Sequence, residues 1–172
     1  MEDNVVLDNI EKIANEIVSA FKQDKKVLLC GNGGSAADAQ HITAELVGRF
    51  LKERQALNVI CLSANVATLT ALGNDYGYDA VFARQVEAYG RPGGVLIGLS
   101  TSGNSRNVIN AFQTAREGGM KTIAFTGQGG LLHNHSDIVV AAPSTHTPAI
   151  QQLHLCLYHY FCQTIEDHFC KK

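Results

Sequence analysis

Lys26-Val-Leu-Leu-Cys30-Gly31-Asn32-Gly33-Gly34-Ser35-Ala-Ala-Asp38-Ala-Gln-His41-Ile-Thr-Ala-Glu45-Leu46 runs from a short apolar stretch through a glycine-rich turn into a helix-forming segment. Strand, glycine loop and helix in that order build a corner whose first helical amides point outward. The helix dipole favours negative charge at that point. His41 and Glu45 follow four residues apart and therefore share one face of the helix. The order predicts a crevice for a phosphorylated ligand, with an imidazole and a carboxylate behind it.

On either side of this stretch the same alternation continues. Ile10, Ile13, Ile17 and Phe21 are spaced as the buried stripe of a helix over about 4–23. Strands are expected at 26–30, 57–62, 95–99, 121–125 and 138–142, with helices at about 35–52, 64–72, 79–89 and from Ser105 to about Glu117. Gly73-Asn-Asp-Tyr-Gly77 is rich in turn formers and closes the third helix. A short element is expected near Leu131–Asn134, and a long helix follows Thr147-Pro148, read as an N-cap before a first-turn proline. The strands are continuous Val/Ile/Leu runs, the pattern of a sheet covered on both faces. Strands alternating with helices imply right-handed crossovers. The expected fold is α/β: a three-layer α/β/α sandwich around a five-stranded parallel sheet, with residues 1–172 as a single domain.

Composition narrows the class. Of 172 residues, 45% are apolar and 17% charged, and the formal net charge is −2. Lys and Arg are scattered, whereas a nucleic-acid-binding face needs them concentrated, so no nucleic-acid partner is expected. No run approaches the ~18 apolar residues of a membrane span, and the N-terminus is acidic where a secretory leader is basic. Cys30, Cys61, Cys156, Cys162 and Cys170 are odd in number and form no C-x-x-C pair. They read as small core residues of a reducing compartment. A cytoplasmic protein is expected.

Gly31-x-Gly33-x-x-Ala36 fits the loose dinucleotide pattern, but the next strand ends in Leu62-Ser-Ala-Asn65 without the carboxylate that would hold a ribose. No Gly-Lys-Ser/Thr follows the glycines either, so no nucleotide cofactor is expected. The loop after the third strand is more telling. Ser100, Thr101, Ser102 and Ser105 place four hydroxyls at the carboxyl end of a strand, where α/β sheets bind ligands. One hydroxyl would suffice for a helix cap. Four of them, with backbone amides, suit a phosphate monoester.

Ser100-Thr-Ser-Gly-Asn-Ser105 behind an apolar strand resembles the sugar-phosphate loop of the sugar isomerase (SIS) domain family. Gly31-Asn-Gly-Gly-Ser35, His41-x-x-x-Glu45, Gly48-Arg49, Gly73-Asn74-Asp75, Gln151 and His159 make the chain similar to family members that isomerise seven-carbon ketose phosphates. The resemblance begins at about residue 5 and spans nearly the whole chain. It implies a flavodoxin-like strand order. It also implies conversion of sedoheptulose 7-phosphate to glycero-manno-heptose 7-phosphate, toward the nucleotide-activated heptose of cell-envelope polysaccharide. Position by position, it implies substrate contacts at Asn32, Gly33, Gly34, Ser35, Glu45, Arg49, Asn74, Asp75, Ser100, Thr101, Ser102, Ser105 and Gln151. Glu45 and His159 fall on the acid–base pair, and His41, Glu45, Gln151 and His159 on the ligands of a weakly held zinc ion. The first and last helices are expected to pack in a homo-oligomer, a tetramer in the family.

Taken alone, some of these residues have plainer readings. A His/Glu pair at i,i+4 is commonly a solvated pair. His154 and His159 lie in a very apolar helix, where a satisfied core histidine is the usual outcome. Arg49 could cap its own helix instead of touching a ligand. His133, His135, His146 and His168 read as surface or loop residues. A second functional reading also stands: a non-catalytic SIS module that binds a sugar phosphate or a protein partner of replication-initiator type.

Overall fold

The computed structural model describes the backbone of residues 2–170. Met1, Lys171 and Lys172, the ends of the expected single domain, lie outside the described residues. The helices are α1 (Glu2–Lys22), α2 (Gly34–Val47), α3 (Val66–Tyr76), α4 (Ala83–Tyr89), α5 (Arg106–Glu117) and α6 (Thr147–Phe169). The strands are β1 (Val27–Gly31), β2 (Val59–Cys61), β3 (Val95–Ser100), β4 (Lys121–Thr126) and β5 (Ile138–Ala141). Short 3-10 turns at Tyr78–Ala80 and Leu131–His135 complete the chain.

All five strands are parallel in the order β2-β1-β3-β4-β5, as expected, with Val27 opposite both Val59 and Val95. The chain reverses direction across the sheet beside β1. The loops after β1 and β3 therefore open into one crevice at the carboxyl ends of the strands. Successive side chains serve opposite faces. Val27, Leu29, Ile97 and Phe125 join Ile10, Ile13, Ile17, Ile42, Tyr158, Phe161 and Ile165 beneath α1, α2 and α6. Leu28, Cys30, Leu96 and Ala124 join Phe82, Val86, Val108 and Phe112 beneath α4 and α5. Each fully buried side chain of this size contributes about 1.5–3 kcal/mol, which explains why both faces of every central strand read as apolar. Gly98 in β3 has a packing reason, because a Cβ there would lie 2.8 Å from Val108 and overlap the Phe112 ring.

Several boundaries differ from expectation. The third helix does not close at Gly73. Asn65 caps its start by accepting from the Thr68 amide, and it runs on to Tyr76 until Gly77, whose φ of 83° breaks it. Asn74 and Asp75 therefore sit on a helical turn, not in a loop. The expected helix over 79–89 is a 3-10 turn followed by the shorter α4. At α6 the cap position is His146 and Thr147 is already helical. Helix α2 stops at Val47 instead of continuing to 52, because distant side chains take over its C-terminal hydrogen bonding, as described below. The α1 stripe finds its cover within the chain, against α6, where Phe21 meets Phe169 edge-on with centroids 6.0 Å apart. Cys30, Cys61 and Cys162 are buried, whereas Cys156 is exposed and Cys170 half-buried, so two of the five cysteines are not core residues.

Candidate active site in two halves

The first half lies at the carboxyl ends of β1 and β3. Gly31 leaves the sheet where a Cβ would sit 2.5 Å from the Ser35 carbonyl oxygen, so only glycine permits the turn. Ser63 holds this corner, donating to the Gly31 oxygen at 2.8 Å and accepting from the Gly31 amide at 3.2 Å. Behind Gly34, the Ser35 N–H donates to the Asn32 oxygen, and those of Ala36 and Ala37 to the Gly33 oxygen.

The serine loop is different. Ser105 precedes α5 without making a side-chain cap, and its hydroxyl lies 3.0 Å from that of the buried Ser100. The amides of Arg106 and Asn107 open α5 without an intrahelical acceptor, whereas those of Val108 and Ile109 donate to the Ser105 oxygen. Asn104 ties the loop to its neighbour by accepting from the Leu131 amide, and Gly103 turns with a φ of 65° tightly against Gly129 and Gly130. The two loops are joined by a pair missing from the sequence reading. The amides of Asn32 and Asn107 donate to one another at 2.9 and 3.0 Å, and the Tyr78 hydroxyl adds a third bond to Asn32. Asn107 also accepts from the Val108 amide. Its signal was an amide side chain in a first helical turn, a position rich in local alternatives.

The second half lies at the far end of α2. His41 Nε2 is 3.0 Å from Glu45 Oε1, and His159 of α6 packs its ring edge against His41 with centroids 5.1 Å apart. Ligand atoms of His41, Glu45 and His159 all lie within 4.8 Å of one another, and all three residues are partly exposed. Two imidazoles and a carboxylate from two helices suit a divalent metal with a coordination position left open. Phe50 stacks on the other face of His159 at 5.5 Å. Tyr158, fully buried, brings its hydroxyl to 2.9 Å from His41 Nδ1 and 3.4 Å from Asp38. Burial lifts the Tyr158 hydroxyl well above the ordinary phenol range, and burial likewise raises the Asp38 carboxyl.

Gln151, grouped with these ligands on resemblance, is not brought beside them within this chain. Its carboxamide packs onto Gly34, where a Cβ would overlap it, seven residues before His41 in α2. There it lines a groove of about 410 Å³ with Ala37, Asp38, Pro148 and Leu155. Arg49 is exposed and does not cap its helix; Arg54 does so, donating to the Glu45 and Gly48 oxygens at 2.6 and 2.8 Å. Glu166, buried in α6, accepts the amides of Phe50, Leu51 and Lys52 at 2.8–2.9 Å, and its Oε1 stands 3.7 Å from Arg54 Nε. These two residues end α2 and aim Phe50 at His159. Asn74 and Asp75 bond to each other on exposed α3. His133, read as having no role, pairs at 2.7 Å with the Thr126 hydroxyl at the end of β4.

Eleven residues of α2 separate Gly34 from Glu45, about 16 Å at the α-helical rise per residue. That is longer than an extended seven-carbon sugar phosphate.

The sequence profile of the SIS domain matches residues 5–127, and the chain belongs to the SIS-domain family. Among its relatives, the phosphoheptose isomerase of Rhodospirillum rubrum is 51% identical over 162 residues, 94% of this chain and 86% of that protein. That of Roseiflexus sp. is 53% identical over 158 residues, 91% and 80% of the two chains. The solved phosphoheptose isomerase GmhA from Neisseria gonorrhoeae superposes with a TM-score of 0.90 at 41% identity, covering 96% of this chain and 89% of its own.

Proposed function

We infer that the chain is a ketose–aldose isomerase acting on D-sedoheptulose 7-phosphate to give D-glycero-D-manno-heptose 7-phosphate, a step of heptose biosynthesis. The observation that carries the reading is the meeting of Glu45 and His159 across α2 and α6, in a chain about half identical to isomerases of this substrate. Moving the carbonyl from C2 to C1 requires a proton to leave C1 and return to C2 through an enediol. A carboxylate with a free oxygen suits that transfer. Glu45 Oε1 faces His41, which leaves Oε2 to take the C1 proton and deliver it to C2. His159, held between Phe50 and Tyr158, is placed to protonate O2 as O1 gives up its proton. His41, Glu45 and His159 would hold a zinc ion, which when bound polarises the substrate carbonyl. Ser100, Thr101, Ser102 and Ser105 with the α5 amides take the phosphate. Asn32, Gly33, Gly34, Ser35, Arg49, Asn74, Asp75 and Gln151 remain the residues proposed to line the sugar.

The 16 Å of α2 between Gly34 and Glu45, estimated from helical rise, supports sites shared between copies of the chain, the serine loop of one facing Glu45 and His159 of another. Leu153, Leu155 and Tyr160 on α6 are 38–44% exposed and offer an apolar face for that assembly, a tetramer by family expectation. No helix among the described residues is long and apolar enough to cross a membrane. A cytoplasmic site of action and a product destined for cell-envelope polysaccharide complete the proposal. A non-catalytic module has no use for two imidazoles and a carboxylate brought together, which favours the enzyme.

The test is turnover of sedoheptulose 7-phosphate by the purified protein and by Glu45→Gln. The variant should lose about a hundred- to ten-thousandfold in kcat, the scale of a general base, while melting like wild type. Undiminished turnover by Glu45→Gln would remove Glu45 from proton transfer.

A further inference from the structure

Tyr158 has an environment that packing alone does not require. Its ring is fully buried in the core beneath α2 and α6, a place phenylalanine would fill equally well. Its hydroxyl nevertheless emerges between two polar groups of α2, Asp38 and His41, which share a helix face. His41 in turn reaches Glu45 through its other nitrogen. Asp38, Tyr158, His41 and Glu45 thus form one continuous hydrogen-bonded row.

We propose that Asp38 and Tyr158 form a hydroxyl relay that sets which nitrogen of His41 carries the proton. The relay would let Nε2 either donate to Glu45 or bind a divalent metal. The inference rests on the metal reading of His41, Glu45 and His159 given above. A neutral imidazole has one donor and one acceptor nitrogen, whereas a hydroxyl can play either part. In the first setting the Tyr158 O–H donates to His41 Nδ1 across 2.9 Å, and Nε2–H donates to Glu45 Oε1 across 3.0 Å. In the second, Nδ1–H donates to the Tyr158 oxygen and the phenolic hydrogen turns to Asp38 Oδ1, 3.4 Å away. The Nε2 lone pair then faces His159 and Glu45 as a ligand. His41 holds one proton in both settings: its half-exposed imidazole loses the Nε2 proton to water and takes one from water at Nδ1, while the phenol keeps its own hydrogen and only rotates. A carboxylate in place of the tyrosine could only accept, and would fix Nδ1–H permanently. Asp38 and Tyr158 are positioning residues, acting through His41.

Zinc binding by the full-length protein, measured by competition with a chelator, tests this directly. Tyr158→Phe should weaken zinc ten- to hundredfold, the usual effect of removing the group that orients a metal-bound imidazole. Asp38→Asn, which keeps an acceptor but loses the charge, should weaken it less. Nitrogen-15 spectra of the imidazoles supply a second readout, with His41 in the Nδ1–H form in the zinc-loaded wild type and in the Nε2–H form without zinc. Equal zinc affinity of wild type and Tyr158→Phe overturns the relay, as does a His41 tautomer that zinc leaves unchanged. A wild type that takes up no zinc overturns the metal reading itself, a result separable from either of these.

Discussion

The serine loop and the α2–α6 face are built on opposite plans. At the serine loop, hydroxyls are gathered in one short stretch: Ser105 makes no side-chain cap, and the Arg106 and Asn107 amides open α5 without an intrahelical acceptor. At the α2–α6 face, polar groups are matched to one another inside the chain, His41 to Glu45 and Tyr158, and Glu166 to three amides and Arg54. The difference follows from what each half must do. An anion arriving from water brings its own acceptors, and a site for it gains by keeping donors free. A group that moves protons must instead be held in one geometry before the substrate arrives, and every partner already in place reduces reorganisation. The glycine corner of α2 belongs to neither plan. Its Ser35, Ala36 and Ala37 amides donate to Asn32 and Gly33, and it carries one hydroxyl, that of the buried Ser35, against the four of Ser100–Ser105, where we place the phosphate.

Breaking the matched half should therefore cost stability as well as rate. Glu166→Gln leaves Arg54, whose side chain is fully buried, without its counter-charge, and the amides of residues 50–52 with one carbonyl oxygen in place of two carboxylate oxygens. Removing one partner of a buried pair costs about 3 kcal/mol or more. Chemical denaturation should show that loss, and kcat should fall with it because Phe50 no longer fixes His159. A variant as stable as wild type would mean that the α2 terminus is held by Arg54 alone.

The open half answers to a different measurement. Ser100→Ala with Ser102→Ala removes hydroxyls that would contact the phosphate throughout the reaction, so the loss should appear in KM and leave kcat nearly unchanged. Two hydrogen bonds to a charged group are worth on the order of a hundredfold or more in affinity. Stability should move little, since Ser102 is exposed and the Ser100–Ser105 contact is local. A large fall in kcat at constant KM would transfer the serine loop to the matched plan and undo the contrast.

This contrast also marks where sequence reading succeeds. The open half is written locally. Its hydroxyls lie within six consecutive residues, its strand is a Val/Leu/Ile run, and Gly31 shows as a glycine because its Cβ would strike the next turn. Half of the His41–Glu45–His159 cluster is local too, since His41 and Glu45 share a helix face at i,i+4. The rest depends on contacts between residues far apart in the chain. Tyr158 meets His41 across 117 positions and Glu166 meets Phe50 across 116, and hydrophobic periodicity carries no information at such separations. Gln151 shows a different limit. Eight residues from His159, it shares that residue's helix face but packs at the other end of α2, because a common face does not mean a common height. Glu166 did leave a trace. It is a lone carboxylate on the stripe Tyr158, Phe161, Cys162, Ile165, and a buried charge implies a partner.

The smallest expected effect belongs to His154, which lies between the two halves. Its Nε2–H donates to the Thr126 carbonyl oxygen at 3.0 Å, and Nδ1 is buried without a partner. A proton on Nδ1 would have no acceptor, and burial depresses the pKa below the ordinary 6.5. Above pH 6.5 the imidazole is neutral in both folded and unfolded chains and adds no pH dependence. As pH falls from 6.5 toward the depressed folded value, the unfolded chain takes up a proton that the folded chain refuses. Stability then drops by at most about 1.4 kcal/mol per pH unit. His154→Gln removes this titration, so the variant's unfolding free energy should fall less steeply with acidification than that of wild type, the other histidines cancelling in the difference. Parallel curves below pH 6.5 would show that the folded chain protonates His154 readily, and that the junction between the two halves is wetter than its burial indicates.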